Sequence, residues 1–151
     1  MAKTSAGILL HRKGPEVFLV HPGGPFWAKK DSGAWSIPKG LCDPDEDPEA
    51  AARREFAEEV GTIPPGPLTP LGEFKQSGGK IVIAFALSGD FDPALLVSNT
   101  FEIEWPPRSG RTITIPEVDR AGWFTIEDAR EKMVTGQRPM LDVFAALAPR
   151  S

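Results

Sequence analysis

A chain of 151 residues is the length of one domain and is long enough to bury a core. Hydrophobic residues at 40% and charged residues at 25% lie near globular averages, which excludes a disordered or fibrous chain. A formal charge of −4 excludes broad binding of extended nucleic acid through a basic face, and no apolar run reaches the roughly 18–20 residues of a membrane helix.

Met1-Ala2-Lys3-Thr4 leads into strand-like sequence rather than a leader's apolar segment, so a cytoplasmic protein free of the membrane is expected. Two apolar runs, Ser5 to Leu10 and Val17 to His21, flank a polar stretch from His11 to Pro15 and predict a β-hairpin. A loop with Pro22-Gly23-Gly24-Pro25 follows, then a short extended piece, Ala34 to Ile37, halted by Pro38. The single Cys42 permits no internal disulfide, in keeping with a reducing compartment, and no histidine can be tied to it as a base.

The clearest helix lies between Asp47 and Gly61. Asp47 suits an N-cap, Pro48 the first helical position and Gly61 the left-handed stop. Beyond it, Leu71 to Lys75 and Lys80 to Leu87 read as strands joined at Gln76-Ser77-Gly78-Gly79. Phe101 to Trp105, Arg111 to Ile115 and Ala121 to Thr125 add further strands, and Ile126 to Met133 and Pro139 to Leu147 read as helices. The order lacks regular βαβ spacing, so the expected class is α/β in its α+β form, a mixed sheet packed between helices. No repeat or linker divides the chain, and residues 1–151 are expected to be a single domain.

Chemistry concentrates on Arg53-Arg54-Glu55-Phe56-Ala57-Glu58-Glu59-Val60-Gly61. Residues three and four apart are neighbours on a helix, so Glu58 and Glu59 both lie beside Glu55. Arg54 reaches Glu58 at i+4, yet one cation cannot neutralise three carboxylates, whereas Mg²⁺ or Mn²⁺ prefers such hard oxygen ligands. The ordinary reading of an acidic run is a solvated face. Here Ala52, Phe56 and Val60 form an apolar stripe and the glutamates centre about 107° from it, at the edge of the core rather than opposite it. Lys39 precedes the helix in Pro38-Lys39-Gly40, where a glycine lets backbone approach a ligand or metal.

Together these residues resemble the Nudix hydrolases, whose box is G-x5-E-x7-R-E-U-x-E-E-x-G-U with U a bulky apolar residue. Gly40, Glu46, Arg54, Glu55, Phe56, Glu58, Glu59 and Gly61 stand in place, and only Thr62 departs from the pattern, with Ile63 next to it. The resemblance implies an α/β/α sandwich and hydrolysis of a nucleoside diphosphate linked to another moiety with Mg²⁺ or Mn²⁺. It implies Glu55, Glu58 and Glu59 as metal ligands with the Gly40 carbonyl, Arg54 as the residue that orients a box carboxylate, and Glu46 as a tie between loop and helix. The general base stays open among Glu58, Glu59, Glu102, Glu104 and Glu117.

Lys39, Arg108 and Arg111 are the candidate phosphate contacts, and Trp105, Phe26 and Trp27 could stack on a base, although aromatic residues are more often core. Pro38-Lys39-Gly40 looks similar to the approach in Nudix dinucleoside polyphosphate hydrolases, which favours that class over nucleoside triphosphates and nucleotide sugars. The expected partner is a small nucleotide, with a homodimer as an open option. Two rivals share the fold: a nucleotide sensor without turnover, and an isoprenoid-diphosphate isomerase, for which Cys42 is poorly located.

Overall fold

The first hairpin forms where the two apolar runs predict it, as β1 (Thr4–Arg12) and β2 (Glu16–Pro22) of a computed structural model that describes residues 3–147. Arg12 stands opposite Glu16 and donates to its carboxylate at 2.8 Å across the turn. The hairpin does not zip along its whole length. The first half of β1 pairs instead with β3 (Lys39–Leu41), Ala6 opposite Gly40, while β2 leaves to pair antiparallel with β8 (Val118–Thr125). Into the fork between β1 and β2 runs the segment before β3, where Ser36 exchanges both backbone bonds with Val20 and Pro38 accepts from the Ile8 amide.

This fork corrects one expected strand. Trp35 and Ser36 form only single bridges, to Met133 and Val20, and the true strand lies further on at Lys39–Leu41. Two local facts interrupt the ladder: the Ile37 amide is taken by the Gln137 side chain at 3.1 Å, and Pro38 has no amide to give.

β4 (Thr69–Lys75) and β5 (Ile81–Ser88) pair antiparallel, and β5 runs parallel to β1 in unbroken register from Thr4 opposite Ile81 to His11 opposite Ser88. The six-stranded mixed sheet has the order β4-β5-β1-β2-β8, with β3 on the flank of β1. β8 begins at Val118, before the expected Ala121. β6 (Thr100–Glu104) and β7 (Thr112–Pro116) form a separate two-stranded ribbon.

Both faces of the central strands are covered, which is why their sequences are continuously apolar. Ile8, Leu10, Phe18 and Val20 face α1 (Pro48–Val60), while Leu9, Val17 and Leu19 face the other side, where α2 (Ile126–Lys132) brings Ala129, Met133 follows directly after it, and α3 (Pro139–Leu147) brings Met140 and Phe144. The result is the expected α/β/α sandwich. Ala52, Phe56 and Val60 are fully buried, and the Phe56 ring alone contributes about 1.5–3 kcal/mol of burial. Asp47 accepts from the Ala50 amide at 3.1 Å and Gly61 closes the helix at φ 105°, so both ends of α1 form as the caps foretell. Ile63 packs against the same core beside the exposed Thr62, supplying the apolar contact that the departing position lacks. No helix among the described residues is long and apolar enough to cross a membrane.

Candidate active site

The acidic face of α1 meets β3 at one point of closest approach. A methyl carbon at Gly40 would stand 1.9 Å from Glu55 Oε2 and 2.1 Å from Glu55 Cδ, so the glycine is the space in which that carboxylate lies. Glu55 is 9% exposed, and burial, with Glu58 and Glu117 nearby, raises its pKa against the lowering pull of Arg54.

Arg54 holds this arrangement from the other side. Its Nε and Nη2 donate to Glu46 Oε2, with Nη2 also reaching Oε1 at 3.0 Å, and Nη1 donates to Glu55 Oε1 at 2.7 Å. Nη2 also donates to the Leu41 carbonyl at 3.3 Å. One planar fork therefore ties the loop after β3, through Glu46, to the helix and aims Glu55. Its contact with Glu58 is looser, at 3.6 Å with both side chains substantially exposed.

Glu59, one residue on, points back to β3 and accepts from the Lys39 amide at 3.2 Å. Burial pushes its pKa up to about 8, although that bond and the Lys39 ammonium oppose the shift. Burial pushes Lys39 down, against the attraction of Glu59. Glu59 and Lys39 line a cleft of about 190 Å³ together with Glu117, Val118, Trp27, Gln76 and Gln137.

Glu117 reaches the cleft through a chain of backbone bonds. The last carbonyls of α1 have no partners within the helix, and the segment leading into β6 supplies them: Asn99 donates to Glu58 and Val97 to Val60. The Glu117 amide then donates to the Asn99 carbonyl at 2.8 Å. Burial raises the Glu117 pKa, and the Glu58 charge raises it further.

Three hard carboxylates on adjacent turns of one helix, one of them packed against a strand glycine, fit Mg²⁺ or Mn²⁺ in donor chemistry. Among the described residues no three acidic, histidine or cysteine side chains converge as a ready cation cage. Arg54 stands between Glu55 and Glu58, and Glu59 turns to the Lys39 amide.

The other residues singled out from sequence lie elsewhere. Trp105, Arg108 and Arg111 sit at the end of the β6–β7 ribbon and are not among the residues lining the cleft; Arg108 and Arg111 are exposed and Trp105 is partly buried. Glu104 serves that turn, accepting from the amides of Arg108 and Gly110 at 3.0 and 3.1 Å, and Glu102 is exposed on the ribbon. Phe26 is 59% exposed and stands edge-on to Trp27, which reaches the cleft. Ser36, Gln76 and Gln137 were not legible as site residues, because isolated polar positions carry neither period nor motif.

A sequence profile described as the NUDIX domain matches residues 1–144. The RNA pyrophosphohydrolase of Rhodospirillum rubrum is 43% identical over 61 residues, 38% of this chain and 37% of that protein. The matched segments span 22% to 37% of the length of such curated relatives. Among solved structures, the Ap4A hydrolase of C. elegans in a binary complex superposes with a TM-score of 0.64 at 25% identity, covering 96% of each chain. The NUDIX domain of Shewanella oneidensis NrtR complexed with ADP ribose superposes with a TM-score of 0.63 at 17% identity, covering 97% of this chain and 88% of that one, a likeness of fold.

Proposed function

This chain belongs to the NUDIX family, and from that premise we propose that it hydrolyses a phosphoanhydride bond in a nucleoside diphosphate linked to a second moiety, with Mg²⁺ or Mn²⁺. The observation that carries the reading is Glu55 held between Gly40 and Arg54, beside Glu58 and Glu59 and next to a cleft with Lys39 and Glu117. Glu55, Glu58 and Glu59, with the Gly40 carbonyl, would hold the cation. When bound, it offsets phosphate charge and lowers the pKa of a water.

The chain's own residues do the rest. Arg54 keeps Glu55 aimed, and Lys39 places an ammonium against the phosphates from inside the cleft. Glu117 is the base we favour: it lines the cleft and its raised proton affinity suits it to take a proton as water oxygen bonds to phosphorus. The bridging oxygen leaves with the bonding pair on the departing phosphate. Positioning and charge account for most of such catalysis.

The substrate class we favour is a dinucleoside polyphosphate, supported by Pro38-Lys39-Gly40 and by the likeness to an Ap4A hydrolase. A second reading, removal of pyrophosphate from RNA, is favoured by the relative from Rhodospirillum rubrum, and the net charge of −4 would then confine contact to the RNA's end. A screen of dinucleoside polyphosphates, nucleotide sugars, nucleoside triphosphates and 5′-triphosphorylated RNA, read by product mass, tests both. Turnover should vanish with chelator and return with either ion. Binding without turnover on every substrate would instead identify a sensor.

A further inference from the structure

The lining of the cleft holds a side-chain relay, Ser36, Gln137 and Gln76, that the hydrolytic reading does not use. Gln137 is fully buried, and its Oε1 accepts from the Ile37 amide at 3.1 Å. Because a backbone N–H demands an acceptor, this bond fixes which end of the Gln137 amide is oxygen. Gln137 Nε2 is thereby the donor, and it gives one hydrogen to Ser36 Oγ at 2.9 Å and the other to Gln76 Oε1 at 3.2 Å. The orientation of Gln76 follows in turn. Its oxygen is committed to Gln137, and among the described residues its Nε2 donates to no protein group while Gln76 lines the cleft.

Backbone packing enforces the relay. The short turn Thr135–Gln137 presses on the end of β4 so closely that a methyl carbon at Gly136 would stand 2.7 Å from Gln76 Cα and 2.8 Å from the Lys75 carbonyl oxygen. Only a glycine allows Gln137 to come within bonding reach of Gln76. Trp27 lines the same cleft and brings an aromatic side chain to it, and Lys39 and Glu59 line it too, Glu59 from the carboxylate helix.

We propose that Gln76 is a specificity-determining residue that presents a donor, and not an acceptor, to the edge of the substrate's nucleobase, with Gln137 as the positioning residue that locks it. A base offering an oxo group at that edge is accepted. One offering an amino group meets donor with donor and binds less tightly, since leaving a desolvated donor unpaired costs about 5- to 150-fold in affinity. The inference rests on the reading of this cleft as a nucleotide site.

Binding, rather than turnover, tests it independently of the hydrolytic assignment. Inosine 5′-diphosphate and adenosine 5′-diphosphate differ at carbon 6 as oxo against amino, and their dissociation constants are measured by calorimetry in the presence of Mg²⁺. The expected ratio favours the inosine nucleotide by about tenfold. Gln76→Ala should bring the ratio to about one. Gln76→Glu can still accept from Gln137 but turns an acceptor to the cleft, so its ratio should swing toward the adenosine nucleotide. A charge penalty from the new carboxylate falls on both ligands and cancels in the ratio. A ratio near one in the parent protein, a ratio unmoved by both substitutions, or binding of neither nucleotide overturns the assignment of Gln76. Metal-dependent turnover of another diphosphate in the same preparation would leave the hydrolytic reading intact in each of those cases.

Discussion

Replacing Gly40 with alanine separates the positioning of Glu55 from the presence of Glu55. The new methyl carbon would stand 1.9 Å from Glu55 Oε2, against an ordinary contact of about 3.5 Å, so the carboxylate must withdraw by about 1.5 Å. The obstructed atoms are the far end of a flexible side chain, and the chain fold therefore has no need to move. What is lost is the 2.7 Å bond from Arg54, worth about 1 kcal/mol for a partner as exposed as Arg54. In chelator-treated protein this corresponds to a fall in Tm of about 2–4 °C. Activity should suffer far more, since a misplacement of about 1 Å at a reacting centre costs on the order of 100-fold. Steady-state kinetics with Mg²⁺ should show kcat lowered by at least that factor, and the Tm gain on adding Mg²⁺ should shrink. Gly40→Ala in a Glu55→Gln background should lower kcat little further, because residues acting through one interaction are not additive. Near-parental kcat, or a full additional loss in the double variant, would refute the idea that Gly40 exists to make room for Glu55.

Lys39→Ala should raise KM more than it lowers kcat, since a cleft ammonium contacts phosphate in ground and transition states alike; an unchanged KM removes it from the binding site. Glu58→Gln should lower kcat by orders of magnitude, yet melt no lower than the parent without metal, because its 3.6 Å pair with Arg54 is exposed and weak while its repulsion of Glu55 is relieved. A markedly lower Tm in chelator would make Glu58 a structural partner instead. Burial raises Glu59 from 4.5 to about 8, so between those values the folded metal-free protein keeps a proton that the unfolded chain releases. That contribution is fully present below the window and is lost as pH rises through it. Glu55 and Glu117, raised mainly by burial, act in the same sense, and Lys39, lowered by burial, acts in the opposite sense toward the lysine range. Thermal melts in chelator should fall from pH 5 to pH 8, with a shallower fall in Glu59→Gln; a Tm that climbs across this window contradicts the burial of Glu59.

Local rules sufficed for α1 and its acids. Asp47, Pro48 and Gly61 act through bonds and dihedral angles within a few residues of themselves, so the helix ends can be read without knowing what surrounds them. The spacing of Glu55, Glu58 and Glu59 on that helix follows from its period, and the apolar stripe from Ala52 to Val60 places them at the core's edge. The sequences of β1 and β2, apolar without a break, fit strands covered on both sides. Sequence could not tell that β3 begins at Lys39 rather than at Ala34, because the amide that ends the ladder is claimed by a side chain 100 residues away. Nor could it tell that Glu117, and not Glu102 or Glu104, lines the cleft: all three lie on or beside the same ribbon, and the closure of Asn99 onto the end of α1 brings Glu117 there. Ser36, Gln76 and Gln137 belong to a loop, a strand end and a short turn far apart in the chain. Their meeting is the work of the sheet order and of Gly136, and the orientation of the Gln76 amide follows from Gln137, whose oxygen must accept from the Ile37 backbone amide and whose Nε2 donates to Gln76, a choice that exists only once the chain has folded.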